Sequence, residues 1–224
     1  LPVALRRGVL AAEEIEELLA EASAHAAEFG SVSRDAHGIH QLHGPWTTLY
    51  LHSGGWFRAR FPELYERFAE IVAGADAEHW RLRAGGELVE RLGPPVARTI
   101  EIHSVQPGGA LPDLHHSDRG SLWTLDVMLA EPGSDFGGGA LCTLEADGQV
   151  LAHDFRRGDA VVFPSHKKHH VQPVSWGHRQ VLVIEFWHGE ERTCAHRCLQ
   201  RWGVCDYSIV SSRLDRALKA APRW

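Results

Sequence analysis

Apolar positions recur at two different periods along this 224-residue chain, and the change falls near residue 99. Over 10–29, Leu10, Ile15, Leu18, Leu19, Ala22, Ala26 and Phe29 keep near-helical spacing, with Gly30 after the last of them as a stop signal. Residues 31–60 are rich in Gly, Ser and His, and predict loop with short extended pieces. Pro62 suits the first turn of a second helix whose apolar face is Leu64, Tyr65, Phe68, Ile71 and Val72. From residue 99 the pattern shortens to apolar or alternating runs at 99–105, 122–129, 140–145, 150–155, 160–163, 169–174 and 180–187. Turn signals separate them, among them Pro107-Gly108-Gly109, Gly137-Gly138-Gly139, Asp147-Gly148 and Arg157-Gly158-Asp159. The pattern predicts helices packed on a sandwich or jelly roll of short strands, followed by one more helix at 211–221.

Composition changes this picture little. Apolar residues make up 44% and charged residues 23%, which excludes a disordered or fibrous chain. The length suits one domain with a core that needs no disulfide staples. A net charge of −6 and the lack of a long basic run speak against a nucleic-acid partner. No run of 18 apolar residues predicts a membrane span. The chain opens on Leu1-Pro2 rather than Met, as expected of a trimmed or mature form, so the missing leader leaves the compartment open. Histidine is the outlier: 16 in all, ten of them between His103 and His196. It is the commonest metal ligand, so position must decide which histidines work.

Two clusters answer in part. In Leu114-His115-His116-Ser117-Asp118, strand alternation would point His116 and Asp118 to one side and His115 to the other. About fifty residues later, His166, His169 and His170 are candidates for a third ligand. Two histidines and one carboxylate on one face leave coordination positions open, the facial arrangement of non-haem Fe(II) oxygenases. Arg179, ten residues past His169, opens the apolar run Val181-Leu182-Val183-Ile184. A guanidinium buried there needs an anion, and its planar fork suits a carboxylate. The pattern therefore provides for a dicarboxylate with one end on a metal and the other on Arg179.

With these motifs in order, the chain resembles the Fe(II)- and 2-oxoglutarate-dependent oxygenases, in their prolyl 4-hydroxylase-like branch. The resemblance runs from about residue 101 to 187. It rests on Gln106-Pro107-Gly108-Gly109, His116-Ser117-Asp118, Asp135 to Leu141, Arg157-Gly158-Asp159, Phe163-Pro164-Ser165, and the series His169, Val171, Pro173, Val174, Gly177, Arg179. It implies a mainly β fold with N-terminal helices around a double-stranded β-helix (jelly-roll, cupin-like) core. In that layout 1–98 is a helical support, 99–190 the core and 191–224 a Cys-containing tail packing on it, all in a single domain. It implies Fe(II) on His116, Asp118 and His169, and 2-oxoglutarate on Arg179, with O2 as co-substrate and ascorbate a candidate reductant. The implied reaction hydroxylates a C–H bond, best a prolyl residue of a peptide or protein, and releases succinate and CO2. A small-molecule substrate, a cupin-type metalloenzyme without 2-oxoglutarate, and a non-catalytic metal-binding module are the alternatives.

The chain departs from the family in places. Where the family often carries a tyrosine three residues before the first glycine of the turn, this chain has Val105, and Thr124 is the candidate to replace its contact with 2-oxoglutarate. In the nucleic-acid repair branch a second arginine stands six residues after the first; here that position is Glu185. The tail holds Cys194, Cys198 and Cys205 with His196, and Cys142 lies in an alternating run. Disulfides, a zinc site made by the three tail cysteines and His196, and reduced structural cysteines are all open readings.

Overall fold

The structure, a computed structural model, describes residues 1–29, 32–34, 40–41, 44–82 and 94–207. The expected stop at Gly30 and the expected helix at 211–221 lie outside the described residues. The elements in chain order are β1 (Ala4–Arg6), α1 (Ala12–Phe29), β2 (Val32–Arg34), β3 (His40–Gln41), β4 (Trp46–Tyr50), α2 (Trp56–Arg60) and α3 (Pro62–Ala75). Nine strands follow: β5 (Val96–Val105), β6 (Trp123–Met128), β7 (Phe136–Gly138), β8 (Leu141–Leu144), β9 (Val150–His153), β10 (Ala160–Pro164), β11 (His169–Val171), β12 (Val174–Gly177) and β13 (Arg179–Trp187). No described helix is long and apolar enough to cross a membrane.

Local chemistry explains the helix starts. Glu14 reaches back to the amide of Ala11 at 2.9 Å, and Glu13 and Glu14 place negative charge on the first turn of α1. Pro62 fills the first turn of α3, where its missing N–H costs nothing.

The strands form an eight-stranded sheet in the order β1-β10-β6-β13-β5-β4-β2-β3, facing a three-stranded sheet β11-β8-β9 and the pair β12-β7. This is the double-stranded β-helix predicted above. Residues 1–98 supply the supporting helices and also β1 to β4 of the large sheet. The run expected at 169–174 breaks at Pro173, which has no N–H to give to a ladder. Its two halves pair separately, β11 with β8 and β12 with β7.

Period two sorts the large sheet. Ile100 and Ile102 of β5, Leu125 and Val127 of β6, and Leu182, Ile184 and Phe186 of β13 belong to one core with Ile15, Leu18, Leu64, Phe68 and Val72 of the helices. The alternate residues of the same strands face the interior between the sheets, where Val105, Met128, Leu141, Phe163 and Val174 make a second core. Both faces are buried, so polar residues on the inner face mark a site rather than a solvated surface.

Candidate functional site

The inner face gathers its polar groups at one place. His116, Asp118 and His169 offer three ligand atoms that all lie within 4.8 Å of one another. His116 Nε2 is 3.3 Å from one Asp118 oxygen and His169 Nε2 is 3.6 Å from the other. Strand alternation does not explain this, contrary to the expectation from the His-x-Asp spacing: residues 112–122 form a loop. The loop is tied by backbone hydrogen bonds instead. Asp118 N–H donates to Ser165 O at 2.8 Å, and His169 N–H donates to His116 O at 3.1 Å. The second bond joins the loop directly to the start of β11, which carries His169.

Supporting hydrogen bonds orient each group. The Lys167 carbonyl, 3.0 Å from His169 Nδ1, can only accept, so Nδ1 carries the proton and Nε2 presents its lone pair to the site. Burial lowers the His169 pKa from its ordinary value and favours the neutral ring that a metal requires. Thr124 Oγ1 donates to Asp118 at 2.7 Å and lies 2.9 Å from Ser165 Oγ. Burial works against the Asp118 carboxylate. The His116 hydrogen bond, the nearby His169 and Arg197, and the Thr124 hydroxyl outweigh it and hold the group well below the usual range. His170, next to His169, pairs across to Cys142 on β8, and His166 is exposed.

Two chambers meet at His116 and Asp118, which line both, as do Trp46, His103 and Leu111. The inner one, about 60 Å³, adds His169, Asp126 and Arg179. The outer one, about 130 Å³, adds Tyr50, Glu101, Glu185 and Arg197. Arg179 is 1% exposed, and none of its three side-chain nitrogens has a hydrogen-bond partner among the described residues. Burial lowers its pKa to about 10, opposed by the charge of Asp126. Gly139 keeps the space for it: at φ +63° a Cβ there would stand 2.8 Å from Arg179 Cδ. The two glycines before Gly139 also serve a close approach, Gly137 to the Trp176 side chain and Gly138 to the Pro173 carbonyl.

Several site residues escaped the sequence reading. Asp126, two residues after Thr124 on β6, faces the inner chamber, whereas Thr124 is engaged with Asp118 and Ser165. Burial and the Asp118 charge push Asp126 up to about 8, with Arg179 opposing. A carboxylate inside an otherwise apolar run was its available signal. Glu185 and Arg197 form a two-point ion pair at 2.6 and 2.8 Å, and Arg197 Nη2 reaches to 3.6 Å from Asp118. Nothing local in the tail marks Arg197 as a site residue. On the outer wall Glu101 bonds His103 at 2.7 Å and also the Thr99 hydroxyl. These contacts overcome its burial and hold it at about 2.

No protein-family model matches the chain, and no curated protein matches it by sequence. Solved structures do match. The fold is similar to an oxidoreductase of the 2OG-Fe(II) oxygenase family from Burkholderia pseudomallei, with TM-score 0.57, 11% identity and 88% of each chain covered. It is also similar to a Pseudomonas putida prolyl-4-hydroxylase, with TM-score 0.55, 20% identity, and 83% of this chain and 92% of that one covered. A third similar structure is the non-heme alpha ketoglutarate dependent epimerase SnoN from nogalamycin biosynthesis, with TM-score 0.52, 19% identity, and 82% of this chain and 76% of that one covered.

Proposed function

We propose that this chain is an Fe(II)- and 2-oxoglutarate-dependent dioxygenase that hydroxylates a C–H bond, with a prolyl residue of a peptide or protein as the preferred substrate. The observation that carries the reading is Arg179. A buried guanidinium with no hydrogen-bond partner is costly, and here it closes the chamber that has the two histidines and the carboxylate at its mouth. Both ends of a dicarboxylate then have a receptor. A cupin-type metalloenzyme, or a binding module without 2-oxoglutarate, has no use for that arginine.

In this reading His116, Asp118 and His169 hold the iron, a donor set suited to it. The bound iron and 2-oxoglutarate supply oxidative decarboxylation by O2, giving succinate and CO2 and placing one oxygen atom on the substrate. The protein binds, orients and excludes. Arg179 takes the far carboxylate through paired hydrogen bonds. Thr124 and the Lys167 carbonyl fix the Asp118 and His169 ligands. Asp126, protonated at neutral pH, has a proton to donate into the inner chamber. Trp46 and Leu111 form the apolar wall between chambers and limit water. The outer chamber is the place for the substrate. Its Glu101 and Glu185 do not suit a phosphate backbone, in keeping with a peptide rather than a nucleic acid. The similarity to a prolyl-4-hydroxylase supports proline as the target; the similarity to SnoN keeps a small molecule as the second reading.

Adding Fe(II) and 2-oxoglutarate without O2 should produce a weak visible charge-transfer band, and admitting O2 should produce succinate. Asp118→Ala should remove the band and cut succinate at least about a hundredfold, since a metal ligand is lost. Succinate at the parent level in that variant would overturn the assignment. Mass spectrometry of proline-containing peptides then tests the substrate, through a gain of one oxygen atom that depends on 2-oxoglutarate.

A further inference from the structure

A second cluster of metal-ligating atoms lies in the tail. The loop after β13 folds so that Cys194, His196, Cys198 and Cys205 bring their ligand atoms within 4.8 Å of one another. Cys198 Sγ is 3.5 Å from Cys205 Sγ, and Cys205 Sγ is 3.5 Å from His196 Nε2. A disulfide needs its sulfurs at about 2.05 Å, so the pair is in contact and not bonded. In a tetrahedral zinc centre with Zn–S of about 2.3 Å and Zn–N of about 2.0 Å, the S···S and S···N edges are about 3.5–3.8 Å. The observed distances match those edges. Cys198 and Cys205 are 2% and 7% exposed, which shields such a centre from solvent.

We propose that Cys194, His196, Cys198 and Cys205 form a closed, structural zinc site that anchors the tail and so holds Arg197 in the wall of the outer chamber. Three thiolates and one imidazole are a donor set that selects zinc, and four protein ligands leave no open position for chemistry. Zinc binding displaces the thiol protons to solvent and leaves a centre of net charge −1. Arg197 stands between two of the ligands in sequence, and its side chain reaches Glu185 and Asp118. The same short segment is fixed from the core side. Arg98 Nε donates to the Cys198 carbonyl at 2.7 Å. His52 accepts the Ile100 amide at Nδ1 and donates from Nε2 to the His196 carbonyl at 3.2 Å. Arg192 closes the loop on the carbonyls of Arg201 and Gly203 at 2.9 and 2.8 Å. Among the described residues no helix or strand spans this loop between β13 and residue 205, so a metal is the cross-link that suits it.

The full chain, expressed in reducing conditions and purified without added metal, tests this by elemental analysis and thiol counting. About one zinc per chain is expected. It should persist in Asp118→Ala and His116→Ala, which remove the other metal site, and in Arg197→Gln. Cys194→Ser and Cys205→Ser should each lower zinc about tenfold or more and raise amide hydrogen exchange in the tail loop. Replacement by Co(II) should give the intense visible bands of a tetrahedral thiolate complex in the parent and not in the Cys variants. A parent protein with all cysteines reduced but neither zinc nor Co(II) bands would overturn the proposal. So would a Cys198–Cys205 disulfide in the purified chain, or zinc lost from Asp118→Ala and kept in Cys205→Ser. Failure of the dioxygenase reading leaves these outcomes unchanged, because none of them reads turnover.

Discussion

Arg179 and Arg197 stand at opposite ends of the same cleft and have opposite surroundings. Arg179 lines the inner chamber, fully buried, with no hydrogen-bond partner among the described residues; the carboxyl of Asp126, which shares that chamber, is pushed up to about 8 and is largely neutral at pH 7. Arg197 borders the outer chamber, partly exposed, and is gripped by Glu185. Burial works against the charge of Arg197, but the Glu185 and Asp118 carboxylates raise its pKa above the ordinary value. A buried cation without an anion is unstable in isolation, whereas a cation already paired is part of a wall. The contrast separates a guanidinium left without a partner, which the proposed reading assigns to 2-oxoglutarate, from one already paired within the protein. Both lie near the His116–Asp118–His169 group, so proximity to the site does not tell the two roles apart.

Removing the anion that Arg197 has, and Arg179 lacks, should make the outer end resemble the inner one. Glu185 also pairs with Arg98 and accepts from Ser121 at 2.6 Å. Glu185→Gln should therefore destabilise the fold by about 2–3 kcal/mol, because it weakens the charge-assisted hydrogen bonds to Arg197 and Arg98 while burial already pushes the Glu185 carboxyl up to about 7. The urea midpoint measures this, and an unchanged midpoint would mean that Arg197 is not held by charge. Arg179→Met works the other way. Folding stability should stay equal or rise, while KM for 2-oxoglutarate should rise about a hundredfold, the loss of a paired charge-assisted hydrogen bond. An unchanged KM would remove Arg179 as the carboxylate receptor.

The smallest effect concerns pH. Asp126, with its pKa near 8, is neutral below that value and can donate to an incoming carboxylate; above it the group is an anion and repels one. KM for 2-oxoglutarate should thus rise several-fold, roughly, between pH 7 and 9, and Asp126→Asn should flatten that rise. A profile that is the same in parent and variant would place the titration elsewhere.

The two long helices, α1 and α3, and the longer strands of the core carry a local period, whereas the five-residue α2 falls in the stretch expected to be loop. The faces read for α1 and α3 are those that pack on the sheet, and β5, β6, β8, β10 and β13 fall within a few residues of the expected runs. β1 and β2 are three residues long, too short for any period to show. The loop at 112–122 was misread for a related reason: a two-residue spacing looks like strand alternation, while the actual geometry comes from hydrogen bonds to Ser165 and His169 far along the chain.

By itself, then, the sequence determined the faces of α1 and α3 and the longer strands of the core, and it supplied His116, Asp118, His169 and Arg179 as a recognisable series. Only the tertiary structure decided that Asp126 shares the inner chamber with Arg179, that Arg197 returns from the tail to Glu185 and Asp118, and that four tail residues converge on one point. The physical reason is range. Hydrophobic period is written in neighbours a few residues apart, whereas these meetings depend on strand register, sheet closure and hydrogen bonds between residues far apart in the chain.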